Sequence, residues 1–592
     1  MSTSTPPPKK FINDKSEAVS EFISGLLLQY PNKLQKLANH DVVLSQSIDY
    51  NKVNILSGGG SGHEPSHAGW IGKGMLTGAI IGGIFASPSV ASILAAIRAV
   101  TPDPLASGTS TGIGSCLLIV KNYTGDRLNF GMACEIANNE GRNVKMVVVA
   151  DDAALEREKG VTGARGVAGT VLVHKVAGAA AEMNCTLEEV AAVAESMCSK
   201  VRSLGVALNA VTIPGASVTN DRLDSATIEI GMGIHGEAGI RQSPLKSANE
   251  LAAIMVNTIE DYGIESAKKV VPTFNSGDDL AVMVNNLGGT SNFEMSILAN
   301  SVVKLLENKG CTVSRLYVGA FMTAFDMQGA SVSILALDSK LSELLDKDSD
   351  ASAWQKADIS VGVRPSSTEL PEVAAPPESI QDSEAKIQVD IDDFESNVQK
   401  VLTTACGSLV ESEPMLTKYD TIVGDGDCGM TMERGSKEIL SRLEAKTLNT
   451  SNPVTLFKDL AVAVSNSMGG TSGILLEIMF RKMSSFLQEQ SSVTAVSMQQ
   501  AFEKGVEAVS FYGGATVGSR TMLDALCPAV DAMKKGEDAA KAASDGAQST
   551  ASMGAASAGR SNYLNEETLS GTPDPGAVAV SLVFAAIYNA LN

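Results

Sequence analysis

Cationic residues are scarce in this chain: 46 Lys and Arg stand against 67 Asp and Glu, giving a net charge of −21 and an isoelectric point near 4.8. Such a surface repels phosphate backbones and anionic headgroups, so neither nucleic acid nor membrane is expected as a partner. If phosphates are handled, metal ions, backbone amides and a few local cations must do it. The eight cysteines are scattered, with no C-x-x-C pair and no Cys/His cluster of zinc spacing. That excludes a disulfide framework and a zinc ribbon; reduced, mostly core thiols and a cytoplasmic location are expected. Long apolar runs are missing too. The most apolar stretch, "GAIIGGIFASPSVASILAAI" (78–97), is broken by Gly, Ser and Pro and makes a poor membrane span. The opening "MSTSTPPPKKF" has no apolar core, so no signal peptide is expected. No Walker A motif and no H-R-D or D-F-G signature occurs, which removes the P-loop and protein-kinase routes to nucleotide binding.

What is present divides in two. Up to about residue 345, short β-branched runs such as "KVNILSGGG", "CLLIVKNYTGD", "VKMVVVADD", "LAVMVNNLGG" and "SVSILALD" lead into Gly- or Asp-containing loops. Segments of helical spacing such as "EEVAAVAESMCSKV" lie between them. This alternation predicts an α/β domain with its active loops at the carboxyl ends of strands. Residues 346–389 hold Pro365, Pro371, Pro376 and Pro377 with few large apolar side chains, the composition of a linker. Beyond it, Ile391, Phe394, Val398, Val401, Leu402 and Ala405 follow one helix face, and an all-α domain is expected over 390–592. Residues 1–9 read as a tail and 10–345 as the α/β domain. No short-period repeat is present.

Only five histidines occur in 592 residues. One of them, His235, stands in "GMGIHGEAGI" (231–240) after the strand-like run Ala226–Ile230. Glycines there predict a tight turn that presents the ring. The same residues also spell G-x-G-x-x-G. A dinucleotide loop, however, opens into a helix and is followed by an acidic strand end about twenty residues on. Here Pro244 follows soon and no such strand end appears, so the match is chance. His63 lies on the glycine loop "SGGGSGHEPSHAG", and Lys121 and Asp126 lie in "VKNYTGDRLNF" just past another strand. Gly-containing loops after strands are where α/β sheets assemble ligand sites, so His63, Asp126 and His235 are read as functional. His40, His67 and His174 are read as structural, the last packed within "TVLVHKVAG".

In the α-domain, "YDTIVGDGDCGMT" sets Asp420, Asp425 and Asp427 within eight residues. Carboxylates this close repel unless a cation joins them, and hard oxygen ligands on a Gly-rich turn suit Mg²⁺. An Asp-rich surface turn is the alternative. An EF-hand fits poorly, since its twelfth position counted from Asp425 is Ser436 rather than Glu. "SMGGTSG" (467–473), "YGGATVGSRTMLDAL" (512–526) and "PDPGA" (573–577) are small-residue loops at helix junctions, where backbone amides can take phosphate oxygens.

Taken together and in order, "GGGSGHEP", "KNYTGD", "GIHGE", "GDGDCG" and "DPGA" resemble the single-chain, ATP-dependent dihydroxyacetone kinases (triokinases) over nearly the whole chain. The resemblance implies an α/β substrate domain of two subdomains, followed by a nucleotide domain built as a barrel of antiparallel helices. It implies that His235 bonds covalently to the substrate carbonyl as a hemiaminal, that Asp126 is the base and that His63 polarises the adduct. Gly60, Ser61, Gly62 and Lys121 would line the substrate. Asp420, Asp425 and Asp427 would hold two Mg²⁺ on ATP. Nucleotide contacts carry over to Cys428, Gly429, Met430, Thr431, Thr471, Ser472, Gly513, Thr521, Met522, Asp574, Pro575 and Gly576. Two departures stand out: Cys428 replaces the His of separate-subunit bacterial relatives, and Ser519 replaces an Asp expected in "GDRTMLDAL". The implied reaction is phosphorylation of dihydroxyacetone, with D-glyceraldehyde as second substrate, by a homodimer in which one chain's nucleotide domain can serve the other chain. Glycerol metabolism is the implied setting. The rival readings are a phosphoenolpyruvate-driven relay, a lyase converting FAD to riboflavin cyclic 4′,5′-phosphate, and a kinase-like coactivator lacking catalysis. The fused linker and the full set of His and Asp residues argue against the first and the last.

Overall fold

The computed structural model describes residues 9–101, 114–155, 163–214, 223–266, 269–356 and 387–592. It falls into two compact units, residues 1–372 and 373–592.

In the first unit α1 (Ala18–Gln29) precedes a six-stranded sheet of β1 (Leu34–Lys36), β2 (Val42–Ser45), β3 (Asn54–Ser61), β4 (Gly78–Ile84), β5 (Cys116–Lys121) and β6 (Val144–Val149), ordered β1-β2-β4-β3-β5-β6. Strands β4, β3, β5 and β6 run parallel, while β1 and β2 add an antiparallel edge. All of β3 and β5 is buried, as their continuous apolar runs require of a sheet covered on both faces. The covering helices include α2 (Val90–Val100), α3 (Thr124–Asn139), α4 (Thr170–Glu182) and α5 (Leu187–Lys200).

A second six-stranded sheet follows: β7 (Arg202–Ala207), β8 (Thr227–Ile230), β9 (Arg241–Pro244), then, after α6 (Ala248–Tyr262) and the hairpin of β10 (Ile264–Ser266) with β11 (Lys269–Val271), β12 (Asp279–Asn286), α7 (Asn292–Asn308), β13 (Thr312–Gly319) and β14 (Gly329–Ala336). Its order is β13-β12-β14-β7-β8-β9, and only β12 with β13 is parallel. Helices α5, α6 and α7 open on capping boxes at Thr186/Glu189, Ser247/Glu250 and Ser291/Glu294, each worth about 1 kcal/mol.

Helix α8 (Ser339–Asp346) closes this unit, but the chain stays packed beyond it. Ala351 is buried and Trp354 stands edge-on to Trp70 at 6.4 Å between centroids. The first residues read as linker from composition are therefore held by an aromatic contact that the proline count concealed. The proline-rich stretch itself, Pro365 to Pro377, lies outside the described residues, as do residues 1–8 of the expected tail.

The second unit is mostly helical. β15 (Gln388–Asp390) pairs with β16 (Ser492–Thr494), the two strands among its described residues. Its helices are α9 (Phe394–Glu411), α10 (Glu413–Val423), α11 (Cys428–Glu444), α12 (Pro453–Ser467), α13 (Gly470–Gln488), α14 (Ala495–Gly513), α15 (Leu523–Lys535), α16 (Ala539–Ser549), α17 (Glu566–Leu569) and α18 (Pro575–Leu591). Packing runs α9–α11–α12–α13–α14–α15–α18 and back to α9, a closed ring. Short connections fold successive helices back on one another, and the ring encloses an apolar cavity of about 630 Å³. No helix among the described residues is long and apolar enough to cross a membrane.

Candidate functional site

In the first unit, His63 and His235 meet. His63 follows the end of β3, is fully buried, and donates Nδ1–H to the Thr323 carbonyl at 2.8 Å, since that oxygen can only accept. Gly62 before it sits at φ +113°, with the rings of Phe85 and Phe325 where a Cβ would be. His235 lies in the turn of the antiparallel hairpin β8–β9, where Gly231 (φ +77°) and Gly236 (φ +82°) supply the left-handed backbone. The loop follows a strand, as the sequence predicts, and joins it to an antiparallel neighbour. It opens into a strand, not a helix, in keeping with rejection of the dinucleotide reading.

The turn also presents the ring on one side only. His235 keeps 21% of its side chain exposed, with Phe85 and Tyr123 at 5.0 and 4.7 Å between centroids. Glu237 takes its Nδ1–H at 2.8 Å and its backbone N–H at 3.0 Å. Burial pushes the Glu237 carboxyl up, but the hydrogen bond and charge of His235 outweigh it and hold it at about 2. Both rings thus spend Nδ1 elsewhere, and their Nε2 atoms face each other at 3.1 Å. Two bare lone pairs do not approach so closely, so one proton lies between them. Burial, then the charges of His235 and Lys121, hold His63 well below the usual histidine range, making it the acceptor of that proton.

The third predicted residue, Asp126, is not on a loop but in the first turn of α3, nearly fully buried. Ser87 donates to its Oδ1, and Lys121 Nζ, at the end of β5, lies 3.5 Å from Oδ2. Tyr123, two residues after Lys121, carries this segment against His235. Gly60 leaves room for the backbone of Phe85 and Ala86, and Ser61 Oγ donates to the Gly82 carbonyl. The structure therefore gathers the 57–67 loop, the 121–126 segment and the 231–237 turn.

Sequence reasoning missed several residues of this site. Phe85 and Phe325 both hold positive φ (50° and 51°) and meet at a tilt with centroids 5.0 Å apart, and Phe85 stacks on the His63 ring at 5.1 Å. Strain of this kind persists where surrounding contacts over-determine it. Arg165 forms a buried ion pair with Asp152 and donates to the Gly231 carbonyl at 2.7 Å, anchoring the His235 turn. Of the residues read as structural, His40 contacts Ser92 Oγ and His174 is buried in α4. His67 departs from that reading: its Nε2 is 3.1 Å from Lys121 Nζ.

In the second unit, Asp420 at the end of α10 and Asp425 and Asp427 on the turn before α11 bring carboxylate oxygens within 4.8 Å of one another. Asp420 Oδ2 accepts the backbone N–H groups of Asp427 and Cys428 at 2.8 and 3.0 Å, and Oδ1 occupies the place of a Cβ on Gly424. Desolvation, then the charges of Asp425 and Asp420, push Asp427 up. A hard divalent cation relieves that repulsion, so the donor set fits Mg²⁺. Arg560 Nε reaches Asp425 at 3.1 Å, a contact with no sequence signal.

These carboxylates line a cavity of about 300 Å³ onto which the N-termini of α11, α13, α15 and α18 converge. Cys428 and Thr431 line it from α11, and Thr471 and Ser472 from α13. Of the other expected contacts, Gly513, Thr521, Met522, Asp574, Pro575 and Gly576 also line it. Four helix N-termini offer orphan N–H groups and positive dipole ends, an anion site in an acidic protein. Gly429 and Met430 do not line the cavity. A helix turns about 100° per residue, so Gly429 faces Glu413 and Thr417 of α10, and Met430 is exposed. Ser519 caps its own turn, accepting Thr516 N–H at 3.0 Å. Arg520, buried at the cavity wall, donates to Ser561 Oγ and the Thr572 carbonyl.

A family model described as the Dak1 domain matches residues 24–353, and one described as the DAK2 domain matches residues 422–589. Human triokinase/FMN cyclase is 40% identical over 99% of this chain and 99% of its own length. The dihydroxyacetone kinase of Citrobacter freundii is 36% identical over 98% of each. The crystal structure of the C. freundii kinase in complex with AMP-PNP and Mg²⁺ aligns with a TM-score of 0.61 at 34% identity, covering 98% of this chain and 99% of that one.

Proposed function

The chain belongs to the dihydroxyacetone kinase family, with a Dak1 and a DAK2 domain, and from that premise we propose that it transfers the γ-phosphoryl group of ATP to a hydroxyl of dihydroxyacetone, and of D-glyceraldehyde as second substrate. The observation that carries this reading is the 3.1 Å contact between His63 Nε2 and His235 Nε2 with both Nδ1 atoms already donating. It sets up carbonyl capture. As His235 Nε2 bonds to C2 of the ketose, the proton between the rings passes through His63 Nε2 to the carbonyl oxygen. The products are a hemiaminal hydroxyl, a neutral His63 and a substituted His235 imidazolium whose Nδ1–H remains on Glu237. Covalent capture fixes a small, flexible substrate for attack and rejects glycerol, which lacks a carbonyl.

Asp126, its carboxylate held by Ser87 and Lys121, accepts the proton of the attacking hydroxyl. Gly60, Ser61, Gly62 and Lys121 line the substrate. Asp420, Asp425 and Asp427 hold Mg²⁺, two ions by family likeness, which neutralises charge on the nucleotide phosphates. The converging helix N-termini bind the remaining phosphate oxygens. A homodimeric, cytoplasmic enzyme acting in glycerol metabolism is part of the same proposal.

A coupled assay tests it by comparing ATP with phosphoenolpyruvate and dihydroxyacetone with glycerol. ATP-dependent phosphorylation of the ketose alone is expected; turnover with phosphoenolpyruvate alone, or equal turnover of glycerol, overturns it. A second reading, FAD cleavage to riboflavin cyclic 4′,5′-phosphate, is favoured by the self-contained nucleotide cavity, which needs no histidine. It predicts lyase activity that survives loss of His235.

A further inference from the structure

Beneath the substrate loop, Lys121 is joined to a buried hydrogen-bonded chain to which the proposed reaction assigns no part: Ser57, His67 and His174. Ser57 Oγ has a single proton. The Ile119 carbonyl, 2.7 Å away, can only accept, so the hydroxyl proton goes there. The two ring nitrogens that also face Ser57 Oγ, His67 Nδ1 at 3.3 Å and His174 Nε2 at 3.1 Å, must then both be N–H donors. This leaves His174 Nδ1 as a bare nitrogen, and it has no hydrogen-bond partner. Burial, then the charge of Lys121, holds His67 well below the usual histidine range, so its ring is neutral and its Nε2 is a bare lone pair.

That lone pair faces Lys121 Nζ at 3.1 Å. An ammonium has three protons, and Lys121, 1% exposed, meets three acceptors: His67 Nε2, Asp126 Oδ2 at 3.5 Å and the Gly58 carbonyl at 3.5 Å. The groups converge over the face of Gly59. A Cβ there would lie 2.3 Å from Lys121 Nζ, 3.5 Å from His67 Nε2 and 3.6 Å from Asp126 Oδ2. Loop, strand end and helix start are thus tied together at a point where a Cβ on Gly59 would displace the Lys121 ammonium.

We propose that His67 is a positioning residue for phosphoryl transfer: locked by Ser57 as the Nδ1–H tautomer, it offers Nε2 to the Lys121 ammonium and so fixes Lys121 against the Asp126 carboxylate. In this arrangement His67 acts through Lys121. The His63–His235 pair has its own partners in Thr323 and Glu237, so carbonyl capture does not depend on His67. The inference rests on the kinase reading for its kinetic consequence, but not for the tautomer.

Two measurements test it separately. Heteronuclear NMR of histidine-labelled full-length protein, with five rings assigned by substitution, reads the tautomer directly. His67 is expected to carry its proton on Nδ1 with Nε2 bare; a proton on Nε2 in the wild type overturns the proposal. Steady-state kinetics with dihydroxyacetone and ATP then compare His67→Leu, which removes the acceptor, with His67→Gln, whose Oε1 reaches the place of Nε2. Loss of one hydrogen bond to a buried charge predicts a kcat roughly 10- to 100-fold lower in His67→Leu. The KM for ATP should be unchanged and the adduct on His235 still detectable by intact mass, with most of the rate regained in His67→Gln. An unchanged kcat in His67→Leu overturns the proposal, and so does a His67→Gln variant as slow as His67→Leu. If the wild type phosphorylates no triose, the kinase reading falls, and the NMR result still decides how His67 is held.

Discussion

Glu237 grips His235 twice: one carboxylate oxygen takes the ring Nδ1–H at 2.8 Å and the other takes the backbone N–H at 3.0 Å. The first bond aims Nε2 away from the turn and balances the charge that a substituted imidazolium would carry. Glu237→Gln keeps an acceptor but loses the charge. Charge-assisted hydrogen bonds exceed neutral ones by enough to lower the hemiaminal equilibrium about 10-fold. Titration with dihydroxyacetone, read as adduct by intact mass after reduction or rapid quench, should move to higher ketose by that factor. An identical titration would remove Glu237 from the capture step.

The same residue fixes a pH dependence. Its carboxyl is held at about 2 against 4.5 for a free side chain. A group with a depressed folded pKa stabilises the fold fully above the unfolded value, and that stabilisation is lost as pH falls through the folded one. The Tm difference between wild type and Glu237→Gln should therefore be fully present near pH 5.5 and narrow between about 4.5 and 2. A difference that widens on acidification contradicts the assigned environment.

His235→Ala and Asp126→Asn should separate capture from transfer. The first should give no adduct and almost no ketose phosphorylation. The second should retain the adduct, because the Nε2 pair is intact, while losing roughly 10²–10⁴-fold in turnover for want of a proton acceptor. An adduct on His235→Ala protein would place the nucleophile elsewhere. Normal turnover by Asp126→Asn would reduce Asp126 to a binding role.

Asp425→Ala should abolish the extra thermal stabilisation that ATP with Mg²⁺ gives over ATP with EDTA, by mass action. Dihydroxyacetone capture should persist, since its residues belong to the other unit. The ligand-free variant should be no less stable than wild type, because it relieves the repulsion that raises Asp427. A full Mg²⁺-dependent shift in the variant would sink the metal assignment.

The residues that carry their own punctuation were legible in the chain. Asp420, Asp425 and Asp427 stand within eight positions on a Gly-rich turn, and their proximity is a property of sequence alone. The glycines around His235 and the strand before His63 likewise marked both rings, since glycine adopts the left-handed backbone found at Gly231 and Gly236 without steric cost. The change from alternating to helical periodicity separated an α/β unit from a helical one without reference to any contact. Tertiary structure decided what pairs across distance. That His63 meets His235, 172 positions away, depends on two different sheets, and no local pattern encodes it. Gly429 and Met430 belong to the same motif but lie on other faces of α11 than the cavity-lining Cys428 and Thr431, because helical rotation, not proximity in sequence, selects what lines a cavity. His67 looked like any buried histidine, and it became informative only when Ser57, Ile119 and Lys121 surrounded it. A hydroxyl with one proton to give fixes a tautomer through geometry, and geometry of that kind exists only in the folded chain.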